Sequence, residues 1–199
     1  MGIPSLPYWH PRLYKLSEFP RGGRRQVRER IRELIGLNKQ VFDAAAIFGE
    51  LHESLDPSCT YTGIDNIAHM ARYAKRHGLD VRVEDPAGNT PFPQSDVVVA
   101  IDRLHHVTYE QAQRILAKAL EAAPLVLVVE PTLMDMAKRW YWDWFFRAFD
   151  NNGVNPCLIW YTKEQYMAEL PTIFGQRHHD ISVDIEEIGT NLLAIYRRK

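Results

Sequence analysis

What most constrains this chain is a rhythm in which short apolar runs are followed by stretches with helical spacing. The runs "QVFDA", "TYTGI", "DVRVE", "DVVVAI" and "LVLVVE" have strand length and are consistent with strands buried in a parallel sheet. Between the second and third, "NIAHMARYAKRHG" places Ile67, Met70, Ala71 and Ala74 on one helical face and closes on Gly78. Between the fourth and fifth, "TYEQAQRILAKALEAA" opens with Thr108 and Gln111 at capping-box spacing and aligns Ile115, Leu116, Ala119 and Leu120. Ahead of them all, "RRQVRERIRELIG" spaces Val27, Ile31, Leu34 and Ile35 for a helix stopped by Gly36. Strands that alternate with helices run parallel, joined by crossover connections. The C-terminal stretch breaks the rhythm. Ile181, Val183 and Ile185 alternate with Ser182, Asp184 and Glu186, and "LLAIY" returns after a turn at Gly189 to Asn191. The expected fold is therefore α/β, a seven-stranded mostly parallel sheet flanked by helices with a C-terminal antiparallel hairpin.

A chain of 199 residues carries one domain with a full core and is too short for two ordinary ones. We expect a single domain over 1–199, with a proline- and aromatic-rich N-terminal arm over 1–23 and an aromatic insertion over 131–161. A second capping box, Thr162 with Gln165, opens a later helix. Net charge is −1, so no global field draws the protein to nucleic acid or acidic membranes. Cys59 and Cys157 are the only cysteines and make neither a disulfide framework nor a zinc ligand set, which fits a cytoplasmic setting. No apolar run reaches the length of a membrane span, and "MGIPSLPYWHPRLYKL" lacks a signal-peptide core. Leu6 stands where a myristoylation signal needs Ser or Thr.

Open α/β sheets bind ligands at the carboxyl ends of their strands. The turn in "VFDAAAIFGELH", directly after the first strand, therefore lies at the default ligand position. Asp65 closes the second strand, at close to the roughly 20-residue separation from Asp43 expected of a ribose-gripping acid. A carboxylate accepts two hydroxyl hydrogen bonds in a fixed fork.

Over roughly residues 24–199 the order of these features resembles the class I S-adenosylmethionine (SAM) dependent methyltransferases of small-molecule type, with their Rossmann-like sheet. The family's first motif is acid-x-Gly-x-Gly-x-Gly, and here Asp43 is the acid while Ala45, Ile47 and Gly49 hold the glycine places. The resemblance makes Asp65 the ribose acid and Asp85, before Pro91 and Phe92, the acid near adenine. "DVVVAIDRLHHV" resembles the fourth motif, which puts Ile101 against the methyl donor, Asp102 and His105 as catalytic candidates, and His106 beside the substrate. "EAAP" stands in place of the usual Lys-Pro-Gly-Gly turn. "IWYTKEQYMAELPTIFG" matches the last helix. Implied are SAM as cofactor and a small, partly apolar substrate.

Each residue also has a plainer reading. Asp65 can cap the helix that follows it, and Asp43 can orient the turn through backbone N–H groups. Asp85 can shape a loop before Pro86. His105 and His106 can serve as a base, since histidine titrates near neutral pH, or belong simply to the loop. "KRWYWDWFFRAF" carries aromatics all round the helix, so more than one side must be covered. It reads as a lid and pocket wall through Trp140 and Trp144, or as a homodimer contact. The arginines at 21, 24, 25, 28, 30 and 32 are interleaved with Glu29 and Glu33 and read as a solvated helix face rather than an RNA surface.

The altered turn leaves three functions open. Glycines there admit positive φ and close approach of backbone to cofactor. Ala45 adds one methyl, while β-branched Ile47 resists positive φ. Overpacking would cost about 1–3 kcal/mol if the family geometry is kept, or about ten- to a hundredfold in affinity. The chain is then a SAM-dependent methyltransferase, an inactive relative whose closed site serves binding or assembly, or a protein that keeps the pocket for a different ligand or non-methylating chemistry.

Overall fold

The five apolar runs form strands and the helical stripes form helices, close to the expected bounds. In chain order these are α1 (Arg24–Ile35), β1 (Gln40–Asp43), β2 (Thr60–Asp65), α2 (Ala68–Arg76), β3 (Asp80–Val83), β4 (Val97–Ile101), α3 (Tyr109–Ala122), β5 (Leu125–Pro131), β6 (Ile181–Ile188) and β7 (Asn191–Arg198). The computed structural model describes residues 9, 10, 12, 13, 24–131 and 180–199. Most of the arm, the aromatic insertion with Trp140 and Trp144, and the Thr162–Gln165 capping box lie outside the described residues. Among the described residues no helix is long and apolar enough to cross a membrane.

All seven strands join one sheet in the order β3-β2-β1-β4-β5-β7-β6. β1 pairs in parallel with β2 and β4, β2 with β3, and β4 with β5. β7 runs antiparallel between β5 and β6, and Ile188 faces Asn191 across a two-residue turn. Period-two alternation divides the core into two layers. Val98, Ala100, Val126, Val128 and Leu192 pack beneath Ile115 and Leu116 of α3. Val97, Val99, Leu127, Val129 and Leu193 face α1 and α2 on the other side, through Val27, Ile31, Ala71 and Ala74. Buried on both faces, β4 and β5 need their continuous valine and leucine runs.

The Thr108 side chain accepts the Gln111 N–H, and the Gln111 side chain returns the bond to Thr108, so α3 starts as expected. Gly49 has φ +82°, and a Cβ there would stand 2.2 Å from Leu79 Cδ1. The surviving glycine of the turn thus lets the chain after β1 pack against the loop following α2.

Candidate functional site

The chain leaves β1 towards β2 and β3, then crosses back to β4 on the other side of β1. That makes the gap between the carboxyl ends of β1 and β4 the topological switch point. Six charged side chains gather there, namely Arg24, Asp43, Asp65, Asp102, Arg103 and Glu130, each less than a tenth exposed. Buried charges persist only when paired or hydrogen-bonded, so their partners define the site.

The turn after β1 is held by its own backbone. The Ala44 N–H donates to Val99 O at 2.8 Å and the Ala46 N–H to Ile64 O at 3.0 Å. The Ala45 N–H donates to Asp43 Oδ1 at 3.0 Å, and the Ile47 N–H to Asp65 Oδ2 at 2.9 Å. Ile47 takes φ +47°, the conformation its side chain resists. Gly63 on β2 makes room for this path, since a Cβ there would lie 2.9 Å from Ala46 Cβ and 3.1 Å from Asp43 O.

Asp65 accepts a second bond, from the Ile67 N–H to Oδ1 at 2.7 Å, a local turn before α2; the helix has Ile67 as its N-cap with no side-chain cap bond, so Asp65 does not cap it as the plainer reading expected. Burial raises its pKa, against the opposing pull of Arg103 and of these two N–H groups. Asp43 accepts the Tyr61 hydroxyl at 2.9 Å. Burial pushes Asp43 up to about 7, although Ala45 and Tyr61 partly offset this. An acid with a raised folded-state pKa keeps its proton longer in the folded chain than in the unfolded one. Between the unfolded value, about 4, and the folded value, stability falls as pH rises, by at most about 1.4 kcal/mol per pH unit. Asp43→Asn cannot ionise, so its melting temperature relative to the parent is expected to climb from about pH 5 to about pH 7. A flat difference across that window would contradict the raised value.

Asp102 follows β4 in a left-handed conformation, φ +53°, and its N–H donates to Val129 O at 2.9 Å. Its carboxylate pairs with the Arg24 guanidinium from the first turn of α1. Arg24 is therefore buried in the site, which corrects the solvated reading of the arginine run at that position; an arginine in a run interleaved with acids looks exposed until a distant carboxylate claims it. Arg103 spans the neighbouring space, donating to Asn66 Oδ1 at 3.2 Å and to Asp85 Oδ1 at 3.4 Å. The Asp85 side chain is 52% exposed and also accepts the Ala87 N–H at 2.9 Å, so it shapes its loop as well as facing the crevice. Phe92 is buried in the core against Phe42, with ring centroids 5.0 Å apart.

Glu130, the acid that ends the apolar run of β5, is fully buried and escaped the sequence reading. Its Oε1 accepts the N–H groups of Arg103 at 2.9 Å and Leu104 at 2.6 Å. Its Oε2 accepts the His105 N–H at 3.3 Å and meets His105 Nδ1 at 2.5 Å. One carboxylate thus folds the whole turn from Arg103 to His105. The signal was a charge closing an otherwise apolar strand. His105 is fully buried beneath this turn, and His106 lies against it with ring centroids 4.1 Å apart. In this conformation the His105 ring has no surface on which to meet a substrate.

Ile101, Asp43, Ala45, Ile47, Val27 and Arg24 line a cavity of about 30 Å³, room for roughly two waters. The carboxylates suit ribose hydroxyls and a cationic sulfonium. Arg24 lines this cavity, and Arg103 reaches Asn66 and Asp85 beside the end of β2.

No family model matches the chain, and no curated protein matches it. Solved structures do. DhpI in complex with SAH is 21% identical and aligns over 93% of this chain and 86% of that one, with a TM-score of 0.64. The 16S rRNA methyltransferase RmtF in complex with S-adenosyl-L-homocysteine is 16% identical, over 94% and 65% of the two chains, at 0.64. Human N-acetylserotonin methyltransferase in complex with SAM is 16% identical over 80% of this chain, at 0.59, and this chain spans 47% of it. At these identities the likeness is one of fold. The chain has the fold of the class I SAM-dependent methyltransferases.

Proposed function

We propose that the protein transfers a methyl group from SAM to a small, partly apolar molecule. The observation that carries this reading is the pair of left-handed residues, Ile47 at φ +47° and Asp102 at φ +53°, after the two strands that flank the switch point. Such backbone costs a non-glycine residue about 1–3 kcal/mol and clusters where function needs it. The chain keeps a glycine-type path after β1 without the glycine.

Asp65 suits the ribose role because each carboxylate oxygen retains a lone pair beyond its backbone bond. Asp85 would face the adenine end, Asp43, Ala45 and Gly49 shape the turn, and Ile101 forms the wall. His106, with Trp140 and Trp144 of the aromatic insertion, would border the substrate. When bound, SAM supplies an electrophilic methyl group on a sulfonium. The chain's part is to hold acceptor and donor in line, with a base needed only for a weakly nucleophilic acceptor. Asp102 and His105 are the candidates for that proton, Asp102 after release from Arg24 and His105 after movement of its loop.

The same two arginines support a second reading, a shut crevice in a protein that binds or assembles. Asp65→Asn preserves volume and one acceptor oxygen while removing the two-acceptor fork. It is expected to weaken SAM about tenfold, and Asp65→Ala at least as much. Unchanged affinity in both would overturn the ribose assignment. In the shut protein, Arg24→Ala with Arg103→Ala should create SAM binding where the parent has none.

A further inference from the structure

We propose that the outer face of α2, with Trp9 and Arg12, binds single-stranded nucleic acid. Two observations converge on this face, and neither depends on methyl transfer.

The first is charge. Four of the five arginines of α1 meet acids, since Arg24 pairs with Asp102, Arg25 with Glu29, Arg30 with Glu33 and Glu186, and Arg32 lies 3.9 Å from Asp56. α2 differs. From Asn66 to Leu79 the chain has no acidic residue, and Arg72, Lys75 and Arg76 are all exposed. Among the described residues no carboxylate lies within ion-pair distance of these three. Together with exposed His69 they line an open hollow of about 420 Å³. In a protein of net charge −1 this is a local concentration of positive charge.

The second is aromatic surface. Tyr73 of α2 stacks on His77 with centroids 4.0 Å apart at 23°, and His10 packs edge-on against Tyr73 at 6.2 Å. Next to His10, Trp9 is 58% exposed, and Arg12 is exposed as well. The Tyr73 phenol and His77 imidazole thus alternate along the chain with Arg72, Lys75 and Arg76, and the exposed Trp9 adjoins His10, which packs on Tyr73. An acidic protein would need only the charges. Bases of a single strand use both, phosphates on the cations and ring faces on the aromatics. A nine-residue helix is about 14 Å long, which suits a few phosphates of one strand. The face borders the crevice, since Tyr73 also packs edge-on against Phe48 of the turn, at 5.5 Å.

The test is fluorescence anisotropy of a labelled oligouridylate of about 12 nucleotides with the full chain, from about 50 mM to about 200 mM salt. Expected is binding whose log–log salt slope is about −2, corresponding to about three phosphates at about −0.7 each. The combined substitution Arg72→Gln, Lys75→Gln and Arg76→Gln keeps good helix formers on an exposed face. It is expected to weaken binding more than about tenfold and flatten the slope. Trp9→Ala is expected to weaken binding about tenfold with the slope unchanged. Absence of binding at the lowest salt would overturn the proposal. So would equal affinity for polyglutamate of the same length with no effect of Trp9→Ala, which would mark the face as a site for acidic protein.

Discussion

Glu130→Ala is expected to lower stability by about 3–5 kcal/mol, the cost of breaking a buried charged network on one side. The fall in melting temperature should be roughly 6–20 °C for a chain of this size. The carboxylate is fully buried and is the acceptor for the N–H groups of Arg103, Leu104 and His105, and the partner of His105 Nδ1. Alanine leaves these groups facing a cavity. The opposing effect, relief from burying a charge, is smaller because the charge is already surrounded by donors. Glu130→Gln keeps the volume and one acceptor oxygen, so its loss should be intermediate. Thermal and urea unfolding of the three proteins measures the series. A loss below about 1 kcal/mol for alanine would show that something other than Glu130 folds the turn.

Arg103→Ala is expected to tighten SAM binding, between about ten- and a thousandfold. Arg103 lies between Asn66 and Asp85, beside the end of β2 where a nucleoside would sit. A ligand then binds only the fraction of molecules in which Arg103 has turned away, and its apparent affinity falls by that fraction. Minor states of about 0.1–10% are ordinary for such equilibria. Arg103 also pulls the Asp65 pKa down, so its removal raises the pH needed to ionise Asp65. Calorimetry across a range of pH separates that second effect, which changes with pH, from the first. Weaker binding in Arg103→Ala at every pH would mean that Arg103 holds the ligand instead of blocking it.

The fold was legible because its signals are local. Alternating β6 residues, the stripe on α2 and the Thr108–Gln111 box each lie within one element. The place of Asp65 at a strand end was legible in the sequence. The groups that close the crevice were not. Arg24 and Asp102 are 78 residues apart, and Glu130 folds a loop about 25 residues before it, pairings that periodicity cannot show. The turn at Ile47 was read as a conflict between β-branching and positive φ. The structure resolves it by keeping the φ and anchoring the N–H on Asp65.

The central claim, that this crevice opens to take SAM, is tested most directly by calorimetric titration of the unmodified protein with SAM and with its demethylated product. The account predicts binding of both, weakened by Asp65→Asn and tightened by Arg103→Ala. No heat from either ligand at millimolar concentration, in the parent and in Arg103→Ala alike, would contradict it and leave the shut crevice as the protein's settled state.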